Sequence, residues 1–192
     1  MGGYYYLMAQ LPALSENAPP GISRQEFLRL AERFLSPPDW SLLRSLSLVP
    51  PAGEARTGSA VADGWYAAER ALRLALARVR AGKLGREPAA ASAGWDPQEA
   101  AEILAASPDA SAVARTAASM DNPLEAEQYL DKIRFSCVRE LGSGHFFDSE
   151  AVFAYALMLM IQERSGSFSA ESGRSGYMEI YHSILSAGNS GG

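Results

Sequence analysis

Residues 151–161 form an unbroken run of eleven apolar side chains, from Ala151 through Phe153, Leu157 and Leu159 to Ile161. A helix with no polar side has to be covered on nearly all of its circumference. Eleven residues fall short of the ~20 needed to span a bilayer. The run therefore predicts a central helix over about 150–164, capped by Asp148 or Ser149 and wrapped by other helices. Met158 and Met160 lie two apart and so point to different sides, which leaves room for a partner surface.

Composition says what can do the wrapping. The chain has 192 residues, with 33 Ala and 21 Leu against 6 Val, 6 Ile and 2 Thr. Ala and Leu lead the helix propensity ranking, whereas Val, Ile and Thr suit a pleated sheet. The fold class expected is all-α, an irregular bundle of seven or eight helices. An apolar fraction of 47% is that of a globular chain. A chain of about 150 residues already buries nearly 70% of its unfolded surface, so neither metal nor disulfide is required to hold a core. The single cysteine, Cys137, excludes an intrachain disulfide.

Cap chemistry divides the chain. The Tyr-rich segment 4–14 reads as either a strand or a short helix. Ser23 with Glu26 is a capping box, followed by Phe27, Leu30, Ala31, Phe34 and Leu35 at helical spacing. Ser36-Pro37 restarts a helix with Trp40, Leu43 and Leu46 on its apolar side. Residues 49–59 read as a loop, and 60–81 as a long helix ended by Gly82 and Gly85. Asp96 with Glu99, and Asn122 with Glu125, are further capping boxes. They open helices to about 106 and about 141, with a short Ala-rich helix between them after Ser107-Pro108. Residues 165–176 read as a loop and 177–186 as a last amphipathic helix. The organisation expected is an N-terminal helical part (1–82), a linker (83–95), a C-terminal helical part (96–187) and a tail (188–192), within one domain or two small ones.

Charge is uneven. The net charge is −5, yet between Trp65 and Arg86 six basic residues face Glu69 alone. Arg70, Arg73 and Arg80 share one side of the predicted helix and are the candidate partner interface. Two readings stand: a solvated face with Glu69–Arg73 as an i,i+4 pair, and a stripe that docks an acidic protein surface. Nucleic acid is disfavoured, since neither an aromatic platform nor a basic tail accompanies the stripe. The start of the chain lacks the basic region of a secretory signal, and Tyr6 stands where myristoylation needs Ser or Thr. A cytoplasmic protein is expected.

Reactive constellations are scarce. His145 lies near Asp148 and Glu150, a local trio able in principle to ligate a metal, but the spacing matches no zinc pattern. A Cys137–His145 pair is conceivable, although Cys137 falls mid-helix. Gly142-Ser143-Gly144 lacks the Lys-Ser/Thr of a P-loop. No catalytic residue and no cofactor is assigned. An enzyme centred on His145 remains the alternative class.

Three stretches resemble a bacterial family described as V-type ATPase C-subunit-like. They are Tyr4-Tyr5-Tyr6-Leu7-Met8-Ala9-Gln10-Leu11-Pro12, with the Phe27-Leu28 helix and Leu35-Ser36-Pro37-Pro38-Asp39; Asn122-Pro123-Leu124-Glu125 running into Leu130-Asp131-Lys132-Ile133-Arg134-Phe135; and Gly144-His145-Phe146-Phe147-Asp148, then Ala154-Tyr155-Ala156-Leu157 and Glu163-Arg164. The resemblance implies an all-helical, non-catalytic socket or accessory subunit between the central stalk and the membrane ring, peripheral to the inner membrane through the complex. An assembly factor or regulator of the same V-type ATPase is the alternative within that class. This chain is much shorter than the socket subunit of such ATPases, so the resemblance implies one or two of its helical units.

Overall fold

A computed structural model describes residues 2–16, 18–52, 56–86 and 96–167. These residues form eight helices: α1 (Gly2–Met8), α2 (Arg24–Ala31), α3 (Pro37–Ser45), α4 (Ala60–Lys83), α5 (Pro97–Ala106), α6 (Pro108–Ser119), α7 (Pro123–Leu141) and α8 (Ser149–Ser167). There is no strand among the described residues, and the fold is all-α. The Tyr-rich start, open between strand and helix, is helix α1.

Local cap chemistry sets most of the helix starts. Ser23 Oγ accepts from Glu26 N at 3.3 Å, and Glu26 Oε2 accepts in return from Ser23 N at 3.1 Å. Asp96 Oδ1 takes the N–H groups of Gln98 and Glu99. Asn122 Oδ1 takes that of Leu124 at 3.0 Å. Asp148, rather than Ser149, caps α8 by accepting from Ala151 N at 2.9 Å.

Three ends differ from the sequence expectation. α2 stops at Ala31, four residues before Leu35. Its chain tightens through Arg33 N–Leu30 O and Phe34 N–Ala31 O bonds, because Ser36 must be extended ahead of Pro37. α4 passes through Gly82 to Lys83, and Gly85, just beyond the Leu84 C-cap, turns the chain away. There φ is +62°, Arg86 N donates to Ala81 O at 2.9 Å, and Gly85 N donates to Gly82 O at 3.1 Å. This pair of bonds satisfies carbonyls that the helix end leaves open. α8 continues three residues beyond 164, to Ser167.

α8 is the central helix. From Ala151 to Gln162 only Met158 and Met160 keep partial exposure, and α1, α2, α3, α4 and α7 pack around it. Leu157 and Leu159 are wholly buried, beside Leu7, Phe27, Leu43, Val61, Trp65 and Val138. A second, smaller core joins Leu72, Ala75 and Leu76 of α4 to Ala114 and Ala117 of α6 and Leu130 of α7. The 24-residue α4 thus runs through both cores. Each core combines helices from before and after the expected linker, of which 87–95 lie outside the described residues. The expected helix 177–186 and tail 188–192, with His182, also lie outside them. No described helix is long and apolar enough to cross a membrane.

Candidate functional site: an arginine-lined cleft

The second half of α4 carries Arg70, Arg73 and Arg80 along one side. Helix α7 sets Glu127, Asp131 and Arg134 at i, i+4 and i+7, which is one helical face. The last turn of α8 brings Arg164 alongside. Between these helices, α5 and the loop 49–52 opens a cleft of about 810 Å³. Its walls include Arg70, Arg73, Arg80, Arg134 and Arg164, with Glu99 and Glu127. The three arginines named from sequence alone therefore share one concavity. Two more arginines, from residues 54 to 94 positions further along the chain, join them there.

Buried carboxylates fix the arginines from behind. Glu69 is 2% exposed, and both of its oxygens are occupied. Arg134 Nε donates to Oε2 at 2.9 Å and Arg134 Nη2 to Oε1 at 3.2 Å. Arg73 Nε donates to Oε1 at 2.8 Å. Asp131 Oδ1 accepts from Arg134 Nη1 at 3.2 Å and also from Arg164 Nη2. Glu127 lies 3.8 Å from Arg134 and 3.9 Å from Arg164. Arg70 Nη2 donates to the carbonyl of Pro51 at 3.2 Å, tying the loop to α4.

Two aspects of this arrangement bear on chemistry. Burying ions costs several kcal/mol each unless pairing is close to complete, so the network holds its guanidinium groups in one geometry. Arg73, with 43% of its side chain exposed, and the exposed Arg80 present donors to solvent on the same wall. Fixed, forked guanidinium groups recognise carboxylates and phosphates by paired hydrogen bonds. Four acids (Glu69, Glu99, Glu127, Asp131) accompany the five arginines, which leaves a small positive excess. Selection then rests on geometry more than on bulk attraction.

The expected Glu69–Arg73 pair is present, but the solvated face is corrected at Glu69. Packing of α7 on α4 encloses that carboxylate and gives it a second partner. Sequence reading did not single out Arg134, Asp131, Arg164 or Glu127 as cleft residues. For Glu127, Asp131 and Arg134 the i,i+4 and i,i+3 spacing on α7 was the available signal; Arg164, on α8, carried none.

The His145 trio separates. His145 Nδ1 lies 2.7 Å from Asp148 Oδ2. Glu150 turns instead to α4, where its Oε2 accepts from Ser59 Oγ at 2.7 Å and Val61 N at 2.9 Å. The open donors of a helix N-terminus attract the carboxylate more than an exposed imidazole does. Among the described residues no group of three or more His, Cys, Asp and Glu is placed to hold a metal. The Asp148 bond raises the His145 pKa. Cys137 sits half-buried in α7, where burial, Glu140 and Glu69 push its thiol up and away from the thiolate.

A second surface feature joins α1 to the α7–α8 turn. Tyr5, Tyr6, Phe146 and Phe147 are each more than half exposed, and the Tyr5 and Phe147 rings lie 4.8 Å apart.

Compared with known proteins, the chain matches no family model, no curated protein and no solved structure.

Proposed function

We propose that this chain is a non-catalytic helical subunit that docks an acidic segment of a partner protein in the arginine-lined cleft. The observation that carries the reading is the convergence of Arg70, Arg73, Arg80, Arg134 and Arg164 from three helices on one cavity. The buried Glu69 and Asp131 behind them favour a rigid contact, as transmission of force between subunits requires. Asp131, Arg134 and Arg164 also belong to the stretches that resemble the V-type ATPase C-subunit-like family. On that resemblance the partner is the central stalk or membrane ring of a V-type ATPase. The chain is then a socket or accessory subunit that meets the membrane only through the complex. An assembly factor would use the same cleft but would be recovered in less than equal amounts with the finished complex.

The test is affinity capture of the stalk and ring subunits from cells with an intact complex, followed by titration with the purified subunit. Arg73→Glu with Arg80→Glu is expected to weaken binding at least tenfold while the far-UV spectrum stays unchanged. Recovery of neither subunit would sink the reading. So would an affinity unchanged by the double reversal at low salt, where exposed charges are least screened.

A further inference from the structure

A second cavity, of about 670 Å³, lies where the loop after α1 crosses α7 and α8. Asp131 and Gln162 both line it, and both are more than nine-tenths buried, at 4% and 7% exposure. Each keeps one acceptor without a hydrogen-bond partner: Asp131 Oδ2 and Gln162 Oε1. Neither side chain is free to turn away. Asp131 is held through Oδ1 by Arg134 and Arg164, on the side of the arginine cleft. Gln162 is held through Nε2, which donates to the backbone carbonyls of Ser15 and Ala18. The carbonyls fix the sense of the amide, because only its nitrogen can serve them.

Buried acceptors without partners are rare in folded proteins, since their lost hydration has to be replaced. Both can be served from one cavity by a group that donates in several directions. Acids outnumber bases on the wall, with Glu16, Asp131 and Glu163 against Lys132, although Glu16 also meets Arg139 at 3.6 Å and Glu163 accepts from Arg24 N at 2.7 Å. Pro19 and Phe135 supply an apolar wall beside these oxygens, which suits a carbon stem better than a hydrated metal ion.

We propose that this cavity binds an organic cation, an alkylammonium or alkylguanidinium. Its head donates to Asp131 Oδ2 and Gln162 Oε1, and its stem packs on Pro19 and Phe135. The cation comes from a free amine or from a Lys or Arg side chain of a partner. This proposal stands independently of the function proposed for the arginine cleft.

The experiment titrates the full chain at physiological salt with agmatine, spermidine and N-acetyl-arginine amide, by calorimetry and by NMR of the Gln162 side-chain amide. Saturable one-to-one binding with a shift of that amide is expected for at least one probe. Binding of agmatine or spermidine identifies a free amine as the source. Binding of the arginine amide alone identifies a partner's side chain. Gln162→Met is expected to weaken binding at least tenfold. Should Gln162→Met fail to fold, Glu16→Gln, at the cavity rim, is expected to weaken it about threefold, the size of one screened surface charge contact. No saturable binding of any probe at millimolar concentration overturns the proposal. Undiminished binding by the folded variants overturns it as well.

Discussion

Arg134 of α7 and Glu69 of α4 form a two-point ion pair across 65 residues of chain, with bonds of 2.9 and 3.2 Å and both side chains buried. Arg134→Met leaves Glu69 with Arg73 alone and removes a charge from Asp131. Breaking one partner out of a buried pair typically costs about 3–5 kcal/mol. Urea unfolding should show a loss in that range with an unchanged slope. A loss below about 1 kcal/mol, the value of an exposed pair, would mean that the network is solvated.

Gly142 ends α7 hard against α8. A Cβ there would come within 2.8 Å of the Ala154 Cβ, and Ala154 on the buried helix has no rotamer with which to retreat. Gly142→Ala should therefore destabilise by about 1–3 kcal/mol through overpacking. Gly64→Ala is the contrast. The three atoms nearest its Cβ would all belong to the Leu141 side chain, Cδ2 at 2.7 Å, Cδ1 at 3.4 Å and Cγ at 3.6 Å, the movable end of a half-buried residue. Up to about 1 kcal/mol of helix propensity offsets that contact. Thermal melts should rank Gly142→Ala clearly below Gly64→Ala.

Glu150 links the starts of two helices, since it stands in the first turn of α8 and accepts from Ser59 Oγ and Val61 N at the start of α4. Glu150→Gln weakens this acceptor and should cost about 1 kcal/mol, as other N-terminal caps do. Hydrogen exchange should quicken in the first turn of α4. Equal exchange in both proteins would rule the link out.

The His145–Asp148 pair predicts a pH dependence. The hydrogen bond to Asp148 raises the folded pKa of His145 above its ordinary 6.5. For Asp148, burial pushes the carboxyl up, but the bonds from His145 and the Ala151 N–H outweigh it and bring the pKa down. A raised folded pKa means that the folded state holds the proton more tightly. The His145 contribution is then fully present below pH 6.5 and is lost as pH rises through the higher folded value, while the Asp148 contribution is present above its ordinary 3.8 and is lost as pH falls through the lowered folded value. His145→Gln should melt below the parent at mildly acidic pH and converge on it at alkaline pH. A constant difference from about pH 5 to about pH 9, either side of histidine titration, would refute the pairing.

Much of the helix pattern was legible because caps are local. Ser23, Ser36, Asp96 and Asn122 each serve an N–H two or three residues away, so the information lies within one turn. The ends were less legible. Gly82 and Gly85 look alike in sequence, and only the Arg86–Ala81 bond selects Gly85 as the residue at positive φ. Of the cleft, only the α4 contribution could be read, as three arginines on one helical side.

The sequence by itself determined an all-α fold class, because Ala and Leu far outnumber Val, Ile and Thr, and a buried helix over 151–161, because eleven apolar residues admit no polar side. It also determined that Arg70, Arg73 and Arg80 lie together, because helical periodicity acts within one element. Tertiary structure alone decided that Glu69 is buried, that Arg134 and Arg164 complete the cleft, and that Glu150 leaves His145 for the start of α4. Those outcomes depend on which helices pack together, and ionic pairs form wherever packing excludes water and brings opposite charges within hydrogen-bonding distance.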